Sequence, residues 1–134
     1  MTDSAALYRV QASDGRGPWR PGLSQHWVDE NRTKRQASIL EAFGTSFLSK
    51  IPQGWHAGCA CRTLEGLMGW FTKPERERLA AMGYSPVAIY PDKIIEENED
   101  QVVFACKMPL MVCALILPWT FAADSKTHEL ETQR

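Results

Sequence analysis

The stretch that most constrains this chain is Thr72-Lys73-Pro74-Glu75, closed downstream by Gly83. A threonine three residues before a glutamate makes a reciprocal cap: the hydroxyl accepts from the Glu75 N–H, and the carboxylate reaches back to the Thr72 N–H. Pro74 suits the first helical turn, and Gly83 supplies a left-handed stop. The helix so bounded gives way almost at once to Pro86-Val87-Ala88-Ile89-Tyr90, a β-prone run. A helix with both ends specified, leading directly into a strand, places the chain in the mixed α/β classes.

The remaining elements follow from local pattern. Leu7-Tyr8-Arg9-Val10-Gln11 reads as a first strand, bounded by Ser13-Asp14-Gly15. The Gly- and Pro-rich segment from Asp14 to Gly22 is a shaped loop, and Ser24 is placed to cap a short helix carrying Trp27. From Thr33 to about Ser49, the apolar residues Ile39, Leu40, Phe43 and Phe47 form a helical stripe, interrupted near Gly44. Gly54 to Cys61 is expected to be extended. Thr63 caps a helix with Leu64, Leu67, Met68 and Phe71 on one face. Asp92 is expected to open a short helical turn through Ile94 and Ile95. Gln101 to Cys106 is a strand, and Leu110 to Leu117 a last strand buried on both faces. The expected architecture is α+β, with helices packed on one mixed or mostly antiparallel sheet. It forms a single domain over residues 1–123, with a polar tail at 124–134.

Charge and cysteine usage narrow the function classes. With 15 basic and 16 acidic side chains, the chain has no cationic excess to drive phosphate-backbone binding, so direct nucleic-acid binding is not expected. The start Met1-Thr2-Asp3-Ser4 lacks the cationic and apolar regions of a signal peptide. Cysteines at 59, 61, 106 and 113 do not form a secreted disulfide framework, so reduced thiols in a cytoplasm are expected. The apolar run from Pro109 to Ala123 falls short of the roughly 18 residues of a membrane span.

Several residues carry chemistry. Arg9 lies mid-strand between apolar neighbours, so it either points outward or is buried against a partner; its planar fork suits a phosphate or carboxylate. The acidic run Glu96 to Asp100 ends where a strand begins, and like charges crowded there raise one another's pKa values. On composition alone such a run is usually a solvated loop. His56-x-x-Cys59-x-Cys61 is an incomplete metal pattern, and no metal site is expected. Trp19, Trp27, Trp55 and Trp70 are core or rim residues, one of which can stack on a nucleotide ring.

An ordered set of residues adds a resemblance. It comprises Leu7-Tyr8-Arg9, Asp14-Gly15-Arg16-Gly17-Pro18 through Pro21-Gly22, Ser24 and Trp27. It continues with Gly58-Cys59, then Leu64 through Trp70-Phe71-Thr72, Glu75, Leu79 and Gly83-Tyr84. It ends with Ile94-Ile95, Glu99 through Phe104 and Pro109-Leu110. Over roughly residues 7–110 this set resembles a family of small phage and mobile-element proteins, whose best understood members are type I-F anti-CRISPR ADP-ribosyltransferases. The resemblance implies an ADP-ribosyltransferase-like fold. It also implies NAD-dependent mono-ADP-ribosyl transfer to a host protein acceptor, with a type I CRISPR surveillance complex as the implied target. The alternatives are a non-catalytic phage inhibitor on a degenerate transferase fold and an unrelated phage structural or regulatory domain.

Such transferases carry an arginine on the first strand, a Ser-Thr-Ser motif on a middle strand and a Glu-x-Glu or Gln-x-Glu motif opening a later strand. By resemblance Arg9 matches the first. Gly58 to Cys61 stands at the second, with Cys59 and without the serine. Glu99-Asp100-Gln101 resembles the third with its order changed. The implied site is therefore Glu99, Asp100 and Gln101 for catalysis, with Arg9, Gly17, Trp19, Ser24 and Cys59 around NAD. Cleaving the nicotinamide–ribose bond passes through an oxocarbenium-like transition state that a nearby carboxylate stabilises.

Overall fold

A computed structural model of the chain describes residues 5–19, 26–29 and 43–119. Ser24, most of the Thr33–Ser49 stripe and the 124–134 tail lie outside the described residues. Among the described residues the strands are β1 (Leu7–Ala12), β2 (His56–Ala60), β3 (Tyr84–Ile89), β4 (Lys93–Glu97), β5 (Val102–Cys106) and β6 (Ala114–Ile116). The helices are α1 (Leu64–Met68), α2 (Lys73–Ala81) and α3 (Leu110–Cys113), and a 3₁₀ turn spans Ser46–Lys50.

The class is α+β. Where a single sheet was expected, the strands divide into two three-stranded antiparallel sheets, in the orders β1-β3-β6 and β2-β5-β4. A lone antiparallel bridge joins them, with reciprocal backbone bonds of 2.8 and 2.7 Å between Tyr8 and Cys61. Leu7, Val87 and Ile89 of the first sheet pack on Ala60, Val102, Phe104 and Cys106 of the second, so the sheets meet face to face.

The outer faces are covered as strand alternation requires. Val10 and Tyr84 pack with Trp27, Leu67, Phe71 and Leu79 beneath α1 and α2. On the far side Phe47, from the 3₁₀ turn, covers Ile95, Val103 and Ala105. The capping box forms as the spacing predicts. Thr72 accepts from the Glu75 N–H at 3.3 Å, and the Glu75 carboxylate accepts from the Thr72 N–H at 2.9 Å. The other oxygen of that fully buried carboxylate accepts from the Asp29 N–H at 2.8 Å, tying a distant segment to the helix start. Gly83 stops the helix at φ +90°, and Thr63 caps α1 through the Gly66 N–H.

Three expectations are corrected. Ile94 and Ile95 lie in strand β4, not in a helical turn. The Asn98 side chain accepts from the Asp100 and Gln101 N–H groups, making the tight turn that pairs β4 with β5. The break expected near Gly44 is present, with Gly44 at φ +71°, and beyond it Phe47 belongs to a 3₁₀ turn and does not continue the α-helical stripe. Leu110 to Leu117 is not a strand buried on both faces. Pro109 starts one turn of helix, and the three residues of β6 then form a sheet edge on which Leu115 and Ile116 are exposed. Among the described residues, no helix is long and apolar enough to cross a membrane.

Candidate functional site

Alternation along β1 sends Tyr8 and Val10 toward the helices and Leu7, Arg9 and Gln11 into the layer between the sheets. An arginine therefore enters an interior that, Gln11 apart, is built mainly of apolar side chains. It fits because two glycines leave room. A Cβ at Gly58 would stand 1.9 Å from Arg9 Nη1, and one at Gly17 would stand 3.0 Å from Nη2. Gly58 pairs with Phe104 across the second sheet, and the Phe104 ring closes on the same point. Gly17 is delivered by a tight turn in which Ala12 N–H donates to Arg16 O and Gly15 N–H to Ala12 O, both at 2.8 Å. Gly15 adopts φ +89° there.

Arg9 is only 9% exposed. Its Nε is fully enclosed and makes no hydrogen bond, and among the described residues no carboxylate pairs with the guanidinium. Burial pulls its pKa below the usual arginine range, while the nearby Cys59 and Cys106 sulfurs act the other way. Two strand positions on, Gln11 is also buried. Its Nε2 donates to Leu110 O at 3.3 Å, and its Oε1 is enclosed without a donor. A buried cation without a counter-charge is costly, so the arrangement favours an anion brought in from outside.

The other expected residues are distributed around this centre. Cys59 and Gln101 come together: the thiol donates to Gln101 Oε1 at 2.6 Å. In register, Cys59 faces Val103, whose side chain lies on the outer face of the second sheet, while Gly58 faces Arg9 on the inner face. The backbone of β2 thus separates Arg9 from the Cys59–Gln101 pair. Burial pushes the Cys59 thiol up to about 11, against the pull of Arg9, so it is a neutral donor at physiological pH. Glu99 and Asp100 are exposed in the Asn98 turn. Asp100 precedes the Phe104 position by four residues, roughly 13 Å along an extended strand. Trp19 is 46% exposed and sits edge-on to buried Trp27, ring centroids 4.5 Å apart, two residues from Gly17.

The expected mutual raising of pKa values within the acidic run does not hold for Glu97. Hydrogen bonds from Arg62, at 2.7 and 2.6 Å, hold its carboxyl below the usual range. Glu96 pairs with Lys50. Basic side chains from elsewhere in the fold neutralise the first half of the run. His56 and Cys59 fall on opposite faces of β2, and among the described residues no three metal-ligating side chains gather.

Sequence reasoning missed Gln11, and it missed Gly58 as the floor beneath the guanidinium. The available signal was the period of two in Arg9-x-Gln11, which puts two polar side chains on one face of an apolar strand.

The family described as the bacteriophage T4 Y00F protein matches residues 1–113, a span that includes Arg9, Gln11, Gly17, Gly58 and the Asn98 turn. No curated protein and no solved structure matches the chain.

Proposed function

The chain belongs to the bacteriophage T4 Y00F protein family, and we propose that it is an NAD-dependent mono-ADP-ribosyltransferase acting on a protein of the infected host. One observation carries the reading: Arg9 is buried in a two-glycine cradle, and among the described residues no carboxylate neutralises it. A planar guanidinium held in that way suits a pyrophosphate. NAD supplies the ADP-ribosyl group. Its glycosidic bond breaks, nicotinamide leaves with the bonding electrons, and the acceptor side chain takes its place and releases a proton.

Arg9 fixes the pyrophosphate and Gly17 lets the loop backbone approach it. Trp19, two residues along the chain from Gly17, is half exposed and packs against Trp27 and Phe71. The carboxylate facing the reacting ribose has to stand away from the group that holds the phosphates, as Glu99 does on the Asn98 turn. Gln101, with its amide oriented by Cys59, positions the turn from the sheet side. The setting is the host cytoplasm, and the acceptor class is a Cas subunit of a type I surveillance complex.

A second reading is a non-catalytic inhibitor that keeps the anion grip. It is favoured by the Cys59–Gln101 hydrogen bond, which occupies the residue that by resemblance falls at the last position of the Glu-x-Glu motif. Labelled NAD incubated with the protein and a lysate containing a type I CRISPR complex separates the two. The transferase labels one lysate protein and releases nicotinamide, and both Arg9→Ala and Glu99→Ala lose that label. Wild type that binds the complex without labelling it, and does so equally well as Arg9→Ala, establishes the inhibitor.

A further inference from the structure

Two enclosed polar side-chain atoms have no hydrogen-bond partner among the described residues, Arg9 Nε and Gln11 Oε1. Side chains two residues apart on a strand share a face, roughly 7 Å apart, so the two orphans line one site between the sheets. One turn runs past both: its Gly17 approaches the Arg9 guanidinium, and its Gly15 approaches the start of α3, where Leu110 O accepts from Gln11. A Cβ on Gly15 would meet Leu110 and Met111 there.

The Gln11 amide has a defined orientation. Its Nε2 donates to Leu110 O, and turning the amide over would set Oε1 against that carbonyl, acceptor against acceptor. Oε1 therefore remains the free acceptor. Gln11 is 3% exposed, so bulk water does not satisfy it. The site offers one charged donor and, beside it, one neutral acceptor. A bare anion answers only the first. A ligand that answers both carries an anionic oxygen and, a few ångströms away, a hydroxyl that donates.

We infer that Gln11 is a specificity-determining residue that accepts a hydrogen bond from a sugar hydroxyl of a phosphorylated ribose whose phosphate is held by Arg9. This rests on the nucleotide-binding part of the function proposed above and is independent of transfer. Gln11 acts on the choice of ligand: it favours a sugar phosphate over a simple oxyanion, while Arg9 serves both.

The test uses the full chain, three probes (ADP-ribose, NAD and sulfate) and calorimetric titration of wild type, Gln11→Met and Gln11→Glu. Sulfate at neutral pH carries a charge and no donor. Losing the one hydrogen bond is expected to weaken ADP-ribose and NAD about tenfold in Gln11→Met, while sulfate stays within about twofold of wild type. Gln11→Glu keeps the shape of the side chain and sets a carboxylate beside the guanidinium, so it is expected to lose all three probes while still melting cooperatively. Equal weakening of ADP-ribose and sulfate in Gln11→Met, or no weakening of either, overturns the inference. Weakening of NAD alone overturns the hydroxyl assignment, because the donor would then be the nicotinamide amide. Gln11-dependent ADP-ribose binding without nicotinamide release leaves the inference standing and removes the transferase. Transfer activity with Gln11-independent ADP-ribose binding does the reverse.

Discussion

Replacing Arg9 with methionine is expected to make the ligand-free protein more stable, and the reason lies in what the guanidinium lacks. Methionine matches the length of the arginine stem and carries no charge or donor. Its surroundings between the sheets would be Gly17, Gly58 and Phe104, which suit a thioether. Arg9 holds an enclosed, unpaired Nε, a defect worth about 1–3 kcal/mol. Exchanging buried charge for well-packed apolar side chains gains about 1–4 kcal/mol in favourable cases. Some of the cost is already relieved where the terminal nitrogens approach the surface, so the net expectation is a gain of about 1–2 kcal/mol. For a chain of 134 residues this raises Tm by about 4–8 °C. The assay is a thermal melt followed by circular dichroism, in a buffer free of phosphate and sulfate, since either anion would occupy the site in wild type. NAD at a hundred times its Kd should then raise wild type by about 2.7 kcal/mol and leave Arg9→Met unmoved. A variant that melts several degrees below wild type would refute the reasoning, because Arg9 would then be a structural residue with a partner.

Three further outcomes are expected. Gly58→Ala puts a methyl where Arg9 Nη1 lies; the flexible arginine should swing out, abolishing NAD binding by calorimetry while stability stays within about 1 kcal/mol. Glu75→Ala removes the acceptor of both the Thr72 and Asp29 N–H groups from a fully buried position; it should cost about 2–4 kcal/mol in urea unfolding without changing the m-value. The Glu97 carboxyl is held below its ordinary value by Arg62, so the folded state binds its proton less readily than the unfolded chain. Its contribution is therefore present above the unfolded value of about 4.3 and is lost as pH falls through the folded one. Arg62→Ala should flatten that part of the acid limb in urea midpoints measured against pH, and leave neutral-pH ligand binding unchanged.

What could be read from sequence was what is decided locally. The Thr72–Glu75 cap and the Gly83 stop depend on neighbours within a few residues, and both formed as spacing requires. The division into two sheets depends on which distant strands pair, and nothing within Leu7–Gln11 specifies Tyr84–Ile89 as its neighbour. The Leu110–Leu117 run shows the limit of hydrophobicity as a guide. An apolar octet bounded by prolines is compatible with a buried strand, yet Pro109 opens a helical turn and the remainder lies on an exposed edge. At the site, the alternatives for Arg9 were legible because an arginine among apolar neighbours has only two options. That it is buried without a partner was not, since this needs Gly17 and Gly58 brought in from either side. The pairing of Glu96 and Glu97 with Lys50 and Arg62 was hidden for the same reason.

The proposed function stands or falls on Arg9 holding the phosphates of a nucleotide. Its most direct test is calorimetric titration of NAD into wild type and Arg9→Met, each first shown to be folded by its melt. Saturable one-to-one binding to wild type, competed by sulfate, is expected, and none to Arg9→Met. Equal affinity in the two proteins, or wild-type binding that sulfate leaves untouched, would contradict it.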